Sequence, residues 1–352
     1  MKSRLRILYL GPDHGTSRQR ADALRRLGHE VELVDPWSFL PSAGLARKVL
    51  WKLTYEVGPA WLERFVARRL SEVLAGRRFD LVWNNQCELV GLRITHLLKA
   101  HAGRLVTYAD DDPFGTRDKR RFSLYRKAMN HYELVAVVRE PNITEARASG
   151  ASRVIRVPRA ADEVAHRPLD LTPEERAALA SEVLFIGTWM PERGPFMARL
   201  LELGVSLSIR GNGWQKAREW PLLSRVWKGP GIEGADYVKA IQCAKVCLGL
   251  VSKSNRDLST HRSAEIPYIG SVLCAERTAD HLAMYREGEE AVFWDTPEEC
   301  AEKCIALLEN EAWRLRVARS GRERCVQSGY VNERLVGGIL ETLYSAVGER
   351  AP

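Results

Sequence analysis

The sequence predicts an α/β protein with two doubly wound parallel-sheet domains that face each other across a cleft. Eleven short apolar runs of strand length alternate with amphipathic, helix-like stretches. Strands that are apolar throughout are typical of parallel sheets covered by helices on both faces. The pattern runs twice, and a polar, proline-containing segment without strand signal, residues 159–181, separates the two series. The length of 352 residues agrees with this organisation, because it suffices for two or three domains.

The first series forms the N-terminal domain, residues 1–165, in which a helix over Arg18–Leu27 follows the opening strand. Ligands of open α/β sheets bind beyond the carboxyl ends of the strands, so function is expected in the loops that follow strands. The predicted strands are Leu5–Leu10, Glu30–Val34, Leu81–Trp83, Arg104–Tyr108, Leu134–Val138 and Val154–Val157.

The second series forms the C-terminal domain, residues 183–330, after a linker over 166–182. A further helical stretch, Val331–Val347, lies in the last segment, residues 331–352. The predicted strands are Val183–Ile186, Val205–Ile209, Val246–Leu250, Val272–Cys274 and Ala291–Phe293. The predicted helices are Phe196–Leu203, Asp236–Ala244, Pro297–Leu308 and Glu311–Ser328.

The composition is that of an ordinary globular protein, with 45% hydrophobic and 28% charged residues. No stretch reaches the roughly 18 to 20 apolar residues that a membrane span needs. The N-terminal segment MKSRLRILYLGPDHG has too short an apolar part for a signal peptide and no small-residue cleavage site. We therefore expect a cytoplasmic protein.

The seven cysteines predict neither a structural zinc site nor a disulfide framework. None stands in a paired CxxC pattern, and no pair of histidines accompanies them. Cys243 and Cys247 are one helical turn apart, as are Cys300 and Cys304, which fits small thiols buried on an apolar helix face. We interpret the cysteines as reduced core residues.

The formal net charge of +8 is unevenly distributed along the chain. Residues 1–165 contain 29 Lys or Arg and 19 Asp or Glu, a balance of +10, whereas residues 166–352 contain 24 and 26, a balance of −2. A basic half suits an anionic membrane surface, a nucleic acid or an acidic substrate, and the count alone does not choose among them.

Two glycine-containing loops of the C-terminal domain follow predicted strands. Gly187 and Thr188 lead to Arg193 at a helix start, where a forked guanidinium beside closely approaching backbone suits a diphosphate. A surface arginine in a Pro/Gly loop is the alternative. Gly211 and Gly213 follow the next strand, an arrangement expected where backbone lines a nucleotide pocket.

Two carboxylates eight residues apart, Asp257 and Glu265, form the most informative segment. A carboxylate accepts two hydroxyl hydrogen bonds from a ribose, and Ser259 and Thr260 between them can offer backbone amides to phosphates. The alternative is an N-cap carboxylate and a glutamate on a helix surface. Glu265 precedes a continuous apolar stretch, so we expect it to be partly buried and in need of partners.

Four segments in this order, FIGTWMPERG, the Asp257–Glu265 stretch, EIPYIGSVLCAE and EGEEAVFWDTPEECAEKCIALLENEAWRLRVARSGRERC, together resemble a known family. It is the group 1, family 4-like clan of GT-B glycosyltransferases, and within it the spore-maturation-protein (CgeB)-like branch. Arg193 stands at the clan's diphosphate-binding lysine position, and Asp257 and Glu265 match its paired acidic motif. The resemblance covers nearly all of residues 183–330.

The resemblance implies two Rossmann-like domains, of which the C-terminal one binds a nucleotide-diphosphate sugar and the N-terminal one the acceptor. Arg193 and the amides near Ser259–His261 would stabilise the departing diphosphate. Glu265 would hold the ribose and Asp257 the donor sugar. The family further implies retention of anomeric configuration, no metal, no cofactor, and a C-terminal helix in residues 331–352 that crosses back to the N-terminal domain.

Two positions depart from the clan's pattern. Asp257 is shorter than the usual glutamate, and Thr188 stands where many relatives carry a phosphate-binding arginine. Arg262, inside the acidic motif, would replace the missing cation, and a solvated arginine is the alternative. The residues assigned to donor binding are Gly187, Thr188, Arg193, Gly211, Gly213, Ser259, Thr260, His261, Arg262 and Glu265.

The acceptor side is expected to use two loops of the N-terminal domain. The loop after the opening strand is not a GxGxxG fingerprint, and a tight turn explains its glycines about as well as a ligand does. The second loop, Asp110–Asp112, is interpreted as an acceptor-orienting or base-like cluster, with an Asp-Pro turn as the alternative. Gly11, His14, Gly15, Thr16 and Asp112 are assigned to the acceptor, and Arg193, Asp257, Asp110 and Asp111 to catalysis.

The stretch from Arg47 to Arg69 combines large apolar side chains with six basic residues. Such a helix pair suits the surface of an anionic membrane, as in several GT-B enzymes with lipid-linked acceptors. Insertion helices packed on the sheet, with lysine stems lying along apolar surface, are the alternative. The first interpretation predicts peripheral contact at the inner face of a membrane.

The predicted function is that of a glycosyltransferase in bacterial glycan biosynthesis, with a glycan, a lipid-linked molecule or a small molecule as acceptor. One alternative is a sugar-nucleotide epimerase of the same fold, for which no acid/base motif is evident. Another is a non-catalytic protein that binds nucleotide sugars or nucleic acid. Nucleic acid is not the expected partner.

Overall fold

The computed structural model of the protein describes residues 4–41 and 43–345. Residues 1–3 and 42 lie outside the described residues, and so do residues 346–352, where the predicted C-terminal helix ends. All eleven predicted strands are present in the described part, with ends within two residues of the predicted ones.

The strands and helices alternate along both halves of the chain. The strands are β1 (Arg6–Leu10), β2 (Glu30–Val34), β3 (Leu81–Asn84), β4 (Leu105–Ala109), β5 (Leu134–Val137), β6 (Val154–Arg156), β7 (Ser181–Ile186), β8 (Leu207–Arg210), β9 (Ala244–Gly249), β10 (Val272–Glu276) and β11 (Val292–Trp294). The helices are α1 (Gly15–Arg26), α2 (Gly44–Val57), α3 (Ala60–Leu74), α4 (Leu92–His101), α5 (Ser123–Lys127), α6 (Glu140–Ala148), α7 (Pro173–Leu179), α8 (Arg193–Glu202), α9 (Trp220–Leu223), α10 (Gly234–Gln242), α11 (Arg262–Ile269), α12 (Ala279–Met284), α13 (Pro297–Glu309), α14 (Glu311–Gln327) and α15 (Asn332–Ser345).

Two parallel sheets confirm the predicted α/β fold class. The first has six strands in the order β2-β1-β3-β4-β5-β6, and the second has five in the order β11-β10-β9-β7-β8. All their strand pairs are parallel. The central strands β3, β4 and β5 are buried along their whole length, which is why they are apolar at successive positions rather than at alternate ones.

The chain divides into two compact units. The first unit comprises Met1–Pro158, Ser252–Asp257 and Asn332–Pro352, and the second comprises Arg159–Val251 and Leu258–Val331. Helix α15 therefore belongs to the first unit, where it packs against α1. The six residues from Ser252 to Asp257 also belong to the first unit, a feature that the sequence-based division at residues 165 and 183 does not contain.

The segment predicted as a linker, residues 166–182, contains helix α7 and the start of β7. The helix begins with a capping box: the Thr172 side chain accepts from the Glu175 amide at 3.2 Å, and the Glu175 carboxylate accepts from the Thr172 amide at 3.1 Å. These reciprocal bonds satisfy amides that a helix start leaves open. The sequence TPEE carries this start signal although the segment is polar.

Helices α2 and α3 differ in how they meet the first unit. Helix α3 buries Leu62, Val66 and Leu70, whereas α2 buries Thr54 alone. Neither helix, nor any other helix among residues 4–41 and 43–345, has the length and apolar character that crossing a bilayer requires.

Candidate functional site

The loops after β7 and β8 run side by side at the carboxyl edge of the second unit's sheet. The Gly187 amide donates to the Arg210 carbonyl at 2.9 Å, and the Trp189 amide donates to the Asn212 carbonyl at the same distance. A β-carbon on Gly211 would lie 1.9 Å from the Gly187 oxygen, so only glycine permits this approach. The structure thus brings together the two predicted glycine loops.

A buried tryptophan holds these two loops in place. Gly213 lies in the left-handed region with φ at 80°, which glycine adopts without strain. The next residue, Trp214, is fully buried and donates its indole N–H to the Gly187 carbonyl at 2.9 Å. The loop backbone is therefore held in place by packing.

Arg193, the first residue of α8, lies beside these loops and is 7% exposed. Its Nη1 donates to the Thr188 carbonyl at 2.7 Å, and its Nη2 donates to the Leu250 carbonyl at 3.4 Å. The guanidinium also stands over the Phe185 ring, 5.4 Å from the ring centroid. A guanidinium fixed in this way is a preorganised cation. It lies next to glycine loops whose backbone a ligand can approach closely, and this combination suits a phosphate group.

Glu265 lies in the first turn of α11 and is 6% exposed. The Tyr237 hydroxyl donates to its Oε2 at 2.5 Å, and His166 Nε2 lies 3.7 Å from its Oε1. Burial raises the pKa of this carboxyl, but His166, His261, Arg262 and the Tyr237 bond outweigh burial, so the net pKa is below the ordinary value. Glu265 is therefore an ionised acceptor inside a polar cluster.

The residues between the two acids are tied to the second unit by their own hydrogen bonds. The Ser259 hydroxyl donates to Asp280 at 3.2 Å, and Arg159 donates to the Ser259 carbonyl at 2.6 Å. The Thr260 amide donates to the Ser263 hydroxyl at 2.9 Å, which already uses one of the amides expected to serve phosphates.

Asp257 belongs to the first unit, and Glu265 belongs to the second. Asp257 is 8% exposed, and Arg139 donates to its Oδ1 at 2.5 Å. Asn255 donates to its other oxygen at 3.5 Å. The arginine partner has no counterpart in the sequence interpretation, and the role of Asp257 towards a donor sugar stays a prediction.

A cavity of about 340 Å³ opens at the carboxyl edge of the first unit's sheet; we call it the polar cavity. Its walls come from the loops after β1 to β4 and from helices α1 and α2. Of the residues predicted for the acceptor or catalysis, it is lined by His14, Gly15, Thr16, Asp110 and Asp111, whereas Gly11 and Asp112 are not part of its wall. Lining residues that were not predicted for the site include Arg20, Asp35, Trp37, Arg47, Trp51, Asn85, Gln86, Glu88 and Arg121.

Arg20 supplies a buried cation at the polar cavity. It is 2% exposed, its Nε donates to Asn85 Oδ1 at 3.0 Å, and its Nη2 donates to Asp110 Oδ2 at 3.2 Å. The guanidinium also lies over the Tyr108 ring at 4.5 Å. Asp110 therefore forms an ion pair with a buried arginine at the wall of the cavity.

Arg121 joins two acids of the cavity wall. Its Nε donates to Glu88 Oε1 and its Nη1 to Asp111 Oδ2, both at 3.2 Å. The side chain of Glu88 is 5% exposed and that of Asp111 is 41% exposed. Arg121 also stands 5.4 Å from the ring centroid of Trp51. Charged groups that alternate with indole faces suit a ligand with both hydroxyl groups and apolar ring faces.

Asp112 is not part of the wall of the polar cavity and is 2% exposed. Its Oδ1 accepts from the amides of Phe114 and Gly115 at 3.1 and 3.0 Å, and Asn142 donates to the same oxygen at 2.9 Å. Arg256 binds both carboxylate oxygens. Asp112 thus forms the turn that was the alternative for this cluster, and only Asp110 and Asp111 reach the cavity.

One sequence signal could have located more of the polar cavity. Asn85, Gln86 and Glu88 form a polar run directly after the buried strand β3, the position where ligand contacts are expected. Gln86 exchanges two hydrogen bonds with the Asp111 backbone, at 2.6 and 2.9 Å. No local signal distinguishes Arg20 or Arg121 from the other arginines of the sequence.

One cysteine cluster has the composition of a metal site. The sulfurs of Cys274, Cys300 and Cys304 lie within 4.8 Å of one another, and all three residues are buried. They belong to the apolar core of the second unit, and all seven cysteines are free thiols. None of the three belongs to the loops that carry the site residues.

The C-terminal part of the chain matches a known family. Residues 193–340, which include Arg193 and Glu265, match the family described as glycosyl transferase-like. No curated protein matches the chain by sequence.

Solved structures resemble the chain over nearly its whole length. The sucrose-phosphate synthase of Thermosynechococcus elongatus is 14% identical, with a TM-score of 0.69, and the match covers 98% of this chain and 100% of that one. The Anabaena protein HepE, solved with UDP-glucose, is 13% identical with a TM-score of 0.67, covering 97% and 100%. The α,α-trehalose 6-phosphate synthase of Burkholderia multivorans is 12% identical with a TM-score of 0.63, covering 99% and 100%. The protein has the GT-B fold. The family match supports a glycosyltransferase, and the solved structures show the fold.

Proposed function

We propose that this protein is a glycosyltransferase that moves a sugar from a nucleotide-diphosphate sugar to a hydroxyl-bearing acceptor. The observation that carries the proposal is the arrangement in the second unit: Arg193 is fixed beside the paired glycine loops, and Glu265 is buried and ionised. Both residues lie inside the segment that matches the glycosyl transferase-like family. HepE has been solved with UDP-glucose and with UDP, which supports this class of donor.

Arg193 would act on the leaving group. When the bond between the anomeric carbon and the phosphate oxygen breaks, negative charge builds on the diphosphate. A preorganised guanidinium beside backbone stabilises that charge more than it stabilises the ground state, which lowers the barrier. Glu265, as a carboxylate, would accept hydrogen bonds from the ribose hydroxyl groups, and Tyr237 would keep the carboxylate oriented.

The acceptor would bind in the polar cavity. Its wall offers carboxylates of different exposure, of which Asp111 is the more accessible, and the indole faces of Trp37 and Trp51. These groups suit a hydroxyl-rich acceptor such as a sugar. Asp110 and Asp111 would orient the attacking hydroxyl.

The proposed transfer retains the anomeric configuration and needs neither a metal nor a protein nucleophile. The acceptor oxygen forms the new bond to the anomeric carbon, the bond to the diphosphate breaks, and the leaving phosphate oxygen takes the acceptor's proton. In this reaction Arg193 stabilises the negative charge of the departing diphosphate, and the diphosphate itself acts as the base. Placement in the spore-maturation-protein-like branch belongs to the same proposal.

A donor panel tests the proposed function. The protein is incubated with UDP-, GDP- and dTDP-sugars, with and without a panel of sugar acceptors, and released nucleoside diphosphate is quantified. We expect slow release from one donor alone and faster release with a suitable acceptor. Conversion of the donor sugar without release would indicate an epimerase, and binding without either reaction would indicate a non-catalytic protein.

Calorimetry with the free diphosphates tests the site assignment. We expect Glu265→Gln to weaken binding of the preferred nucleotide by roughly tenfold or more, because two charge-assisted hydrogen bonds to ribose become weaker. Glu302→Gln, on the exposed side of α13, is the matched control and should bind as the wild type does. Equal affinity of the Glu265→Gln protein would remove the ribose assignment.

A further inference from the structure

Half of the large apolar side chains that are exposed among the described residues lie on two neighbouring helices of the first unit. Seven of fourteen belong to this set, five on α2 and two on α3. They are Leu45, Val49, Trp51, Leu53 and Val57 on α2, and Trp61 and Phe65 on α3. An apolar concentration of this kind marks a surface that binds a partner.

Helix α2 presents an apolar stripe to water. Leu45, Val49, Leu53 and Val57 follow one another at four-residue spacing, so they lie on one face, and they are 77%, 47%, 39% and 55% exposed. The only buried residue of this helix is Thr54. An amphipathic helix normally turns such a stripe to the core. Here the stripe continues into an apolar groove between α2 and α3, lined by side chains that include Leu50, Leu62 and Phe65.

Basic side chains flank the apolar stripe. Lys48 and Lys52 of α2 and Arg64 of α3 are exposed, and none of them forms an ion pair with any residue that the structure describes. Unpaired cations beside an apolar stripe make a surface that attracts anions and apolar groups together.

The acids of the same helices do not cancel this charge, since each is engaged by the protein. Glu56 pairs with Lys119, and Glu72 pairs with Arg68 and Arg69. The Glu63 carboxylate is directed to the start of α4, where it accepts from the Arg93 amide at 2.8 Å. The uncompensated charge of the two helices is therefore positive.

We propose that α2 and α3 dock on an anionic lipid bilayer, with the apolar stripe inserted among the acyl chains and Lys48, Lys52 and Arg64 at the phosphate level. A basic polar face beside a Trp-, Phe- and Leu-containing face is the pattern of helices that lie in the membrane interface. A protein partner fits less well, because the cores of protein interfaces are depleted in lysine. The docking goes beyond sugar transfer and does not depend on it.

Flotation of the full-length protein with vesicles tests the docking. We expect binding to phosphatidylcholine vesicles that contain 30% phosphatidylglycerol, weak binding to pure phosphatidylcholine, and loss of binding as salt increases. The triple variant Lys48→Gln/Lys52→Gln/Arg64→Gln should bind roughly fivefold more weakly per residue changed, on the order of 100-fold in all. Val49→Ser/Leu53→Ser should also weaken binding, but without changing its salt dependence.

A matched control separates this surface from total charge. Arg225→Gln/Arg316→Gln/Arg319→Gln removes three exposed arginines of the second unit and should bind vesicles as the wild type does. Circular dichroism of every variant verifies the fold. Equal loss in both triple variants, or no binding of the wild type to anionic vesicles, would overturn the proposal.

Two further measurements distinguish other outcomes. If sedimentation shows a dimer that Val49→Ser/Leu53→Ser dissociates, the surface belongs to a second copy of the chain and the bilayer proposal is wrong. Release of nucleoside diphosphate is measured without vesicles, so that failure of sugar transfer and failure of docking are observed separately. The variants made for the vesicle experiments should retain this release, since none of the substituted residues lines the polar cavity or belongs to the donor loops.

Discussion

Arg256 binds both oxygens of the Asp112 carboxylate: its Nε donates to Oδ2 at 2.6 Å, and its Nη2 donates to Oδ1 at 2.8 Å. The same guanidinium pairs with Glu145 at 2.9 Å. Arg256 has a φ of 51°, in the left-handed region that a non-glycine residue enters at a cost. Its ion pairs hold the segment Ser252–Asp257 in the first unit despite that cost.

Loss of this arginine should destabilise the first unit. Arg256→Gln removes the charged partner of a buried carboxylate, and we expect the free energy of unfolding to fall by about 2 kcal/mol. Arg147→Gln, an exposed change on α6, is the control and should have no measurable effect. Urea denaturation followed by tryptophan fluorescence measures both. Equal stability of the two variants would contradict the assignment.

Asp112 should make stability depend on acid pH. Burial raises the pKa of this carboxyl, but hydrogen bonds from Arg256, Asn142 and the Phe114 amide outweigh burial, so the folded pKa is below the ordinary value. The contribution is therefore complete above the unfolded pKa of about 3.9 and is lost as pH falls through the folded value. Asp112→Asn should be less stable than the wild type at pH 7 and should lose less stability between pH 5 and pH 2. Parallel pH profiles for the two proteins would show that another group dominates.

Removal of the Arg193 guanidinium should reduce turnover more than stability. We expect Arg193→Ala to lower kcat by roughly 100-fold or more, because a preorganised cation at the leaving group is lost. Arg199→Ala, on the exposed side of the same helix, removes only surface pairs with Glu202 and Glu298 and should keep near-normal kcat. Donor hydrolysis and urea denaturation are compared for both variants. A kcat loss in Arg193→Ala that merely follows unfolding would refute a role at the diphosphate.

The close approach of the two glycine loops predicts a strong effect of one added methyl group. Gly211→Ala would place a β-carbon 1.9 Å from the Gly187 oxygen, so the loops must separate, at a cost of about 2 kcal/mol or more and with loss of nucleotide binding. Gly338→Ala on α15 meets no atom within 4 Å and should instead stabilise by roughly 0.5 to 1 kcal/mol. Thermal unfolding and calorimetry with UDP measure the pair of variants. Normal nucleotide affinity of the Gly211→Ala protein would separate these loops from the donor site.

The polar cavity should affect the acceptor and leave donor hydrolysis intact. Glu88→Gln weakens the contact with Arg121. We expect the KM for a sugar acceptor to rise several-fold, because Arg121 and its second partner Asp111 are then held less firmly in position. Glu72→Gln on the surface of α3 is the control. Kinetics at varied acceptor and at varied donor separate the two effects. An unchanged acceptor KM with an altered donor KM would assign the cavity to the donor.

The strands were predictable because a fully buried parallel sheet requires apolar residues at consecutive positions, and such runs are visible in the sequence. Arg193 and the glycines after β7 and β8 were also visible, since their spacing follows directly from the strand ends. The two glycine loops lie beside one another because β7 pairs with β8 in parallel, which puts the carboxyl ends of both strands at the same edge of the sheet. Local patterns therefore carried both the fold and the donor loops.

The polar cavity was harder to predict from the sequence, because its walls combine distant parts of the chain. Arg20 comes from α1, Trp51 from α2 and Arg121 from the segment after β4, and only the tertiary fold brings them together. Adjacent residues also differ in ways that residue type does not reveal: Asp111 lines the cavity, whereas Asp112 is buried and binds Arg256. The segment Ser252–Asp257 likewise belongs to the first unit because of partners more than 100 residues away, among them Arg139.

The first unit is assembled from pieces that a ribosome delivers at very different times. Helix α1 is synthesised before the second unit, but its packing partner α15 follows only after every residue of the second unit has been made. The sheet that holds the polar cavity therefore cannot reach its final stability early, whereas the second unit has all its residues by Val331. The contact between α1 and α15, which includes the pair of Arg26 with Glu333, should therefore be among the last to form as the nascent chain folds.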